Sequence, residues 1–243
     1  MELLKSIIED IFGKEYNIKV ASDGFDLISK PNKDFAFVIG FVSRPNAKMI
    51  REKFVAMKRF DEVESLIVPI LKKHKIHYRS YGNYNSTIQQ IFAFDTIPGL
   101  SDLFYEFIEE RWILPLNASS LEQPKTYQIK DNDVEDMIRS IIVEVKKAID
   151  CAKIHFVDKY QTINDVFVES NKMNPDEKGE FFSIPSAIRK VLIEFIVDKS
   201  ENRLAQISSL SNEFRHYKDD QELQKYAEAT EALYEKLKSL GKR

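Results

Sequence analysis

The spacing of apolar residues changes period several times along the chain. From Glu2 to Phe12, Leu3, Leu4, Ile7, Ile8, Ile11 and Phe12 recur at three- and four-residue steps, which predicts an amphipathic helix stopped by Gly13. The period then falls to two. Tyr16, Ile18 and Val20 alternate with polar neighbours, Asp23-Gly24 is a hairpin turn signal, and Phe25, Leu27 and Ile28 carry the next strand. Pro31-Asn32-Lys33 leads into Asp34 to Ser43, the most apolar stretch of this region. There Phe35, Phe37, Ile39 and Phe41 line one face, with the smaller Ala36, Val38, Gly40 and Val42 on the other. Apolar character on both faces predicts a central, well-covered strand.

From Ala47 to Phe60 the spacing again fits a helix, with Met49, Ile50, Phe54 and Met57 on one face. Asp61, with Glu64 three residues on, predicts the start of a second helix carrying Val63, Leu66, Ile67, Ile70 and Leu71 and containing Pro69. Strands are expected over Ile76 to Tyr81 and Thr87 to Asp95, joined by Gly82 to Asn85. Leu100, Leu103, Phe104, Phe107 and Ile108 fit a helix ending near Trp112.

Leu114 to Lys125, with Pro115 and Pro124, has the composition of a boundary. A short strand at Tyr127 to Ile129 follows, and the pattern beyond it is helical. A long helix starts at Asp131 or Asp133 and continues through Ala152. A short one runs through Val166 and Phe167, a polar loop spans Asn171 to Gly179, and a helix begins at Ile184-Pro185-Ser186. Two more fit Asn202 to Phe214 and Gln221 to Leu240. The expected fold class is α+β: an antiparallel sheet of about five strands with helices on one face, then an all-helical C-terminal region. The expected domains are 1–124 and 125–243, packed together.

Composition narrows the function. With 243 residues, 43% hydrophobic and 31% charged, the chain fits an ordinary soluble globular protein. Its apolar runs are too short and too often broken by charge to span a bilayer, and Glu2 to Asp10 lacks the uninterrupted apolar core of a signal peptide. A single cysteine, Cys151, excludes an internal disulfide. These features lead to the expectation of a cytoplasmic location without membrane association. The net charge is −3, and residues 1–125 hold 17 basic and 17 acidic side chains. Neither half is a basic module, which argues against strong general nucleic-acid binding.

Candidate chemistry is sparse. The densest cationic segment contains Lys72, Lys73, His74, Lys75, His77 and Arg79, followed by Tyr81 and Tyr84. Tyrosines that stack bases beside cations that hold phosphates would form a weak single-stranded nucleic-acid site. The same residues also fit a helix C-terminus whose cations oppose the dipole. Cys151 and His155 lie four apart, a usable spacing for two metal ligands, but no other histidine completes a set, and no metal or cofactor is expected. Asp102, Glu106, Glu109 and Glu110 share a predicted helix face, read as either paired carboxylates for acid–base work or a solvated surface. Glu222, Glu228, Glu231 and Glu235 on the last helix read as solubilising charge. The chain contains no glycine-rich phosphate loop, Gly-x-Ser-x-Gly elbow or His-Glu-x-x-His motif. Phe181 and Phe182 follow a polar loop; they either present a ring to a partner or fill a gap between helices.

The leading expectation is a non-catalytic factor that binds another protein, of accessory, inhibitor or immunity type, with Phe181, Phe182 and Glu106 as candidate contact residues. One alternative is a small enzyme with its site spread over both halves, using His74, His77, Glu106 or Glu109. The other is a weak nucleic-acid binder using Lys72, Lys73, Lys75, Arg79 and Tyr81. The sequence sets no oligomeric state.

Overall fold

The computed structural model describes residues 2–44, 47–79, 84–94, 106–108, 112–113, 126–127 and 131–240. It opens with α1 (Glu2–Phe12), β1 (Tyr16–Ala21), β2 (Gly24–Ser29), β3 (Phe35–Arg44), β4 (Ala47–Lys58), α2 (Asp61–Lys73) and β5 (Ile88–Ala93). Three short strands follow, β6 (Glu106–Ile108), β7 (Trp112–Ile113) and β8 (Thr126–Tyr127). Helix α3 (Asp131–Ala152) continues into a π-helical turn over Lys153–Val157. The chain then runs through α4 (Ile163–Ser170), α5 (Pro175–Phe181), α6 (Ser186–Val197), α7 (Glu201–Arg215) and α8 (Gln221–Leu240). The architecture is α+β, an antiparallel sheet followed by a helical region. Among the described residues no helix is long and apolar enough to cross a membrane.

By packing the chain divides into two compact units, and both are discontinuous. The first comprises 1–56 and 90–158, the second 57–89 and 159–243. This division differs from the expected split at 124/125 because α3 packs on α1 within the first unit. Arg139 of α3 pairs with Asp10 of α1 at 2.5 Å, and Lys146 lies 3.7 Å from Glu15.

In the first unit β2 pairs antiparallel with β1 and β3, setting Val20 opposite Phe25, Phe25 opposite Ile39 and Leu27 opposite Phe37. Directly opposed residues share a sheet face, so these side chains form one continuous apolar layer. The layer is aromatic. Phe12 of α1 meets Tyr16 at 5.9 Å and Phe25 at 6.4 Å between ring centroids. The series continues from Tyr16 to Phe37 (6.1 Å), Phe54 (6.4 Å from Phe37), Phe92 (5.5 Å from Phe54) and Phe156 (6.5 Å from Phe92). Gly24 lets β3 approach β2 closely, since a Cβ there would drive into the Ile39 carbonyl oxygen and the Cα of Gly40.

Several sequence expectations change. Ala47–Lys58 is strand β4, not a helix. Its residues Phe54 to Met57 are all buried, and a strand covered on both faces gives an apolar run that periodicity does not distinguish from a helix. Glu106–Ile108 is also strand, with Ala47 opposite Ile108 and Met49 opposite Glu106, so the predicted helix from Leu100 to Trp112 does not hold at these positions. The carboxylates of Asp102, Glu109 and Glu110 lie outside the described residues. Ile76 to Arg79 is irregular where a strand was expected. The polar stretch from Asn171 contains α5, whose start is fixed by a capping box: Asn174 Oδ1 accepts from the Glu177 amide at 3.0 Å and Glu177 Oε2 accepts from the Asn174 amide at 2.8 Å. Proline at the first helical position of α5 adds a preset φ.

Helix α2 ends in a hydrogen-bonded reversal. The amide of Lys75 donates to Lys72 O and that of Ile76 to Leu71 O, with Lys75 in the left-handed region at φ 56° and Ile76 buried. These are the two bonds of a Schellman motif, with a buried apolar residue at the position after the left-handed one. The N-cap of α2 is Phe60, with Asp61 the first helical residue, so the expected capping role of Asp61 and Glu64 is not made. The helix runs unbroken through Pro69.

Candidate functional site

Glu64 instead faces the interior of the second unit, together with Arg189 of α6; both side chains are 0% exposed. Each occupies a position inside its helix's apolar stripe. Val63, Ile67 and Leu71 are buried around Glu64, and Ile188, Leu192 and Ile193 around Arg189. The pair is bidentate: Nε of Arg189 donates to Glu64 Oε1 and Nη2 to Oε2, both at 2.9 Å. The remaining guanidinium hydrogens go to backbone carbonyls, those of Ser183 (3.0 Å), Ile184 and Tyr78 (3.3 Å). Every one of the five donors of Arg189 is therefore used.

Thr87 extends the network. Its hydroxyl donates to Glu64 Oε1 at 2.9 Å and accepts from the Phe60 amide at 3.0 Å. Its amide donates to Lys58 O at 2.8 Å, and its carbonyl accepts from the Ser183 amide at 3.1 Å. Ser86 and Ser183 hydroxyls lie 2.6 Å apart, both buried. With its donors consumed by fixed protein acceptors, Arg189 has no hydrogen left for a substrate anion, and the arrangement is a structural clasp.

The sequence-nominated residues are dispersed. Lys72, Lys73 and Lys75 are exposed at the α2 terminus, where the Schellman reversal sets their placement. Arg79 donates to Asn85 Oδ1 at 2.9 Å and stacks on Tyr78, while Tyr84 is buried. Tyr81 lies outside the described residues. His74 Nδ1 sits 3.3 Å from Glu228 Oε2, and His77 is exposed. Glu106 is on β6, so its expected place on a helix is corrected. Phe181 and Phe182 are both buried, 6% and 1% exposed, and neither is an exposed anchor. Their rings meet at 5.2 Å, and Tyr160 packs on Phe181 at 5.3 Å. Burial holds the Tyr160 hydroxyl above its ordinary pKa, against the opposing pull of Lys159. Cys151 is half-buried and His155 exposed, and no group of three or more potential metal ligands occurs among the described residues.

The connection between α7 and α8 is the best surface candidate. Asp220 caps α8 by accepting from the amides of Glu222 and Leu223 at 2.9 and 3.1 Å. Gln224 fastens the reversal by donating to Tyr217 O at 2.9 Å. Beneath it, Phe214 packs on Tyr226 at 5.7 Å, and burial raises the Tyr226 pKa, with Glu222 and Asp220 adding to the effect. The backbone of this tip is thus pinned, while the Tyr217 side chain is 62% exposed beside an open hollow bordered by His216, Lys218 and Asp219. The sequence marks Tyr217 only faintly, as an aromatic in the polar break between two helices.

No family model, no curated protein and no solved structure matches this chain.

Proposed function

We propose that the protein is a non-catalytic binding factor for another protein, and that the α7–α8 tip is a contact surface. The observation that carries this reading is the 62% exposure of Tyr217 on a pinned backbone, among charges of both signs. An aromatic on a fixed backbone loses little entropy on docking and suits a partner with an apolar pocket and a polar rim. The saturated Glu64–Arg189 clasp supports the same reading, since the most deeply buried charges serve the fold.

The test is site-specific photocrosslinking in the native cell, with the photoreactive residue at Tyr217 and, as control, at exposed Lys172. The reading predicts an adduct with one protein from position 217 only, and an affinity for that protein weakened about tenfold or more by Tyr217→Ala. Equal adducts from both positions, or an affinity unchanged by Tyr217→Ala, would contradict it.

A further inference from the structure

The outward face of α3 has an order of side chains that complements itself. Its inner face buries Ile138, Ile142, Val145, Ile149 and Ala152. On the outer face Val143, Lys147, Asp150 and Ile154 follow at steps of four, three and four residues, which keeps them in one stripe. Val143 is 40% and Ile154 63% exposed, the side chains of Lys147 and Asp150 58% and 49%. The π turn begins beside Ile154: the Asp158 amide donates to Lys153 O at 2.9 Å, Phe156 and Val157 turn inward, and Ile154 remains in solvent.

We propose that this face pairs with the same face of a second copy of the chain, antiparallel, about a twofold axis passing between positions 148 and 149. Reversing the stripe places Val143 against Ile154 of the other copy, and Lys147 against Asp150. One operation therefore makes two apolar contacts at the ends and two ion pairs in the middle. Such a match is what an isologous interface requires. The parallel arrangement sets like against like and brings the lysines and the aspartates together. Lys147 now pairs with Glu144 at 2.6 Å on the surface, a pair that exchanges partners at small cost, and Asp150 accepts on both oxygens from part-buried Lys146 at 2.9 Å, a bond that pairing across the axis has to share. The stripe spans about 16 Å at roughly 1.5 Å per residue. That is short beside interfaces burying about 1,200–2,000 Å², so the pairing is weak and concentration-dependent.

The experiment is sedimentation equilibrium of the full chain from micromolar to near-millimolar concentration. The wild type is expected to shift from monomer to dimer. Ile154→Asp, Lys147→Asp and Asp150→Lys each weaken association about tenfold or more, by opposing an apolar contact or placing like charges face to face. The double swap Lys147→Asp/Asp150→Lys restores the complementary order and recovers dimerisation. A chain monomeric throughout, or a dimer indifferent to Ile154→Asp, overturns the proposal. A double swap that recovers nothing overturns the antiparallel register. Val143, Lys147 and Ile154 are exposed and Asp150 is half-buried, and circular dichroism of each variant checks that the fold is retained.

Discussion

The two units solve the same packing problem with different chemistry. In the first, rings contributed by α1, the sheet and the π turn make a series of edge, tilted and stacked contacts held by apolar packing, with the Tyr16 hydroxyl its one polar atom. In the second, a bidentate ion pair with no exposure joins two helices and is held by loop backbone carbonyls. An aromatic layer loses stability in proportion to the atoms removed, whereas a buried ion pair fails abruptly when one partner goes. The first core therefore tolerates conservative change, and the second specifies its partners one by one.

The sharpest way to break this contrast is Arg189→Met, which leaves the Glu64 carboxylate buried without its cation. The expected loss is about 3–5 kcal/mol by urea denaturation. Hydrogen exchange should show protection falling first in 57–89 and 159–243. Uniform loss over both units would contradict the assignment of the clasp to the second. Phe37→Ala, in the first unit, should cost about 3 kcal/mol or more, while Phe37→Leu should cost much less, both read from urea midpoints. If the two variants were equally damaging, the first core would be as exacting as the second. Thr87→Val keeps the shape but leaves the Phe60 amide without its acceptor and removes one donor from Glu64. A loss of about 1–3 kcal/mol is expected, and an unchanged midpoint would remove Thr87 from the clasp.

The smallest effect is at the surface. Asp165 closes a capping box with Thr162, and its carboxyl is held below the ordinary pKa by hydrogen bonds from the Thr162 amide and hydroxyl. A depressed carboxylate pKa contributes stability that is present above the unfolded value and lost as pH falls through the folded one. Carboxyl NMR should place the Asp165 midpoint below the usual range, and Thr162→Ala should return it towards that range. A midpoint in the usual range in the wild type would count against the box.

Much of the fold was legible because the relevant signals are local. The Asp23-Gly24 turn and the alternating Phe35, Phe37, Ile39 and Phe41 predict the β1–β3 meander, and three- and four-residue spacing predicts α1, α3, α6 and α8. The sequence hides strand β4 because burial of Phe54 through Met57, on both faces, erases the alternation on which a strand is recognised. The polar composition of Asn171 to Gly179 concealed α5, although Asn174-Pro175 with Glu177 is a helix-start signature. The clasp left a fainter trace. Glu64 and Arg189 each stand inside an apolar stripe, 125 residues apart, and only the fold brings the opposite charges together. Tyr217 and the α3 outer face depend on which side of a helix is left uncovered, and that is decided by tertiary packing.

The most direct test of the account is a double-mutant cycle on the clasp. The variants Glu64→Leu, Arg189→Met and Glu64→Leu/Arg189→Met would be compared by urea denaturation under identical conditions. The account predicts that the double variant is markedly more stable than Arg189→Met alone, because no unpaired charge remains buried in an apolar setting. A double variant no more stable than Arg189→Met, with losses that simply add, would contradict the claim that these two charges act as one structural unit.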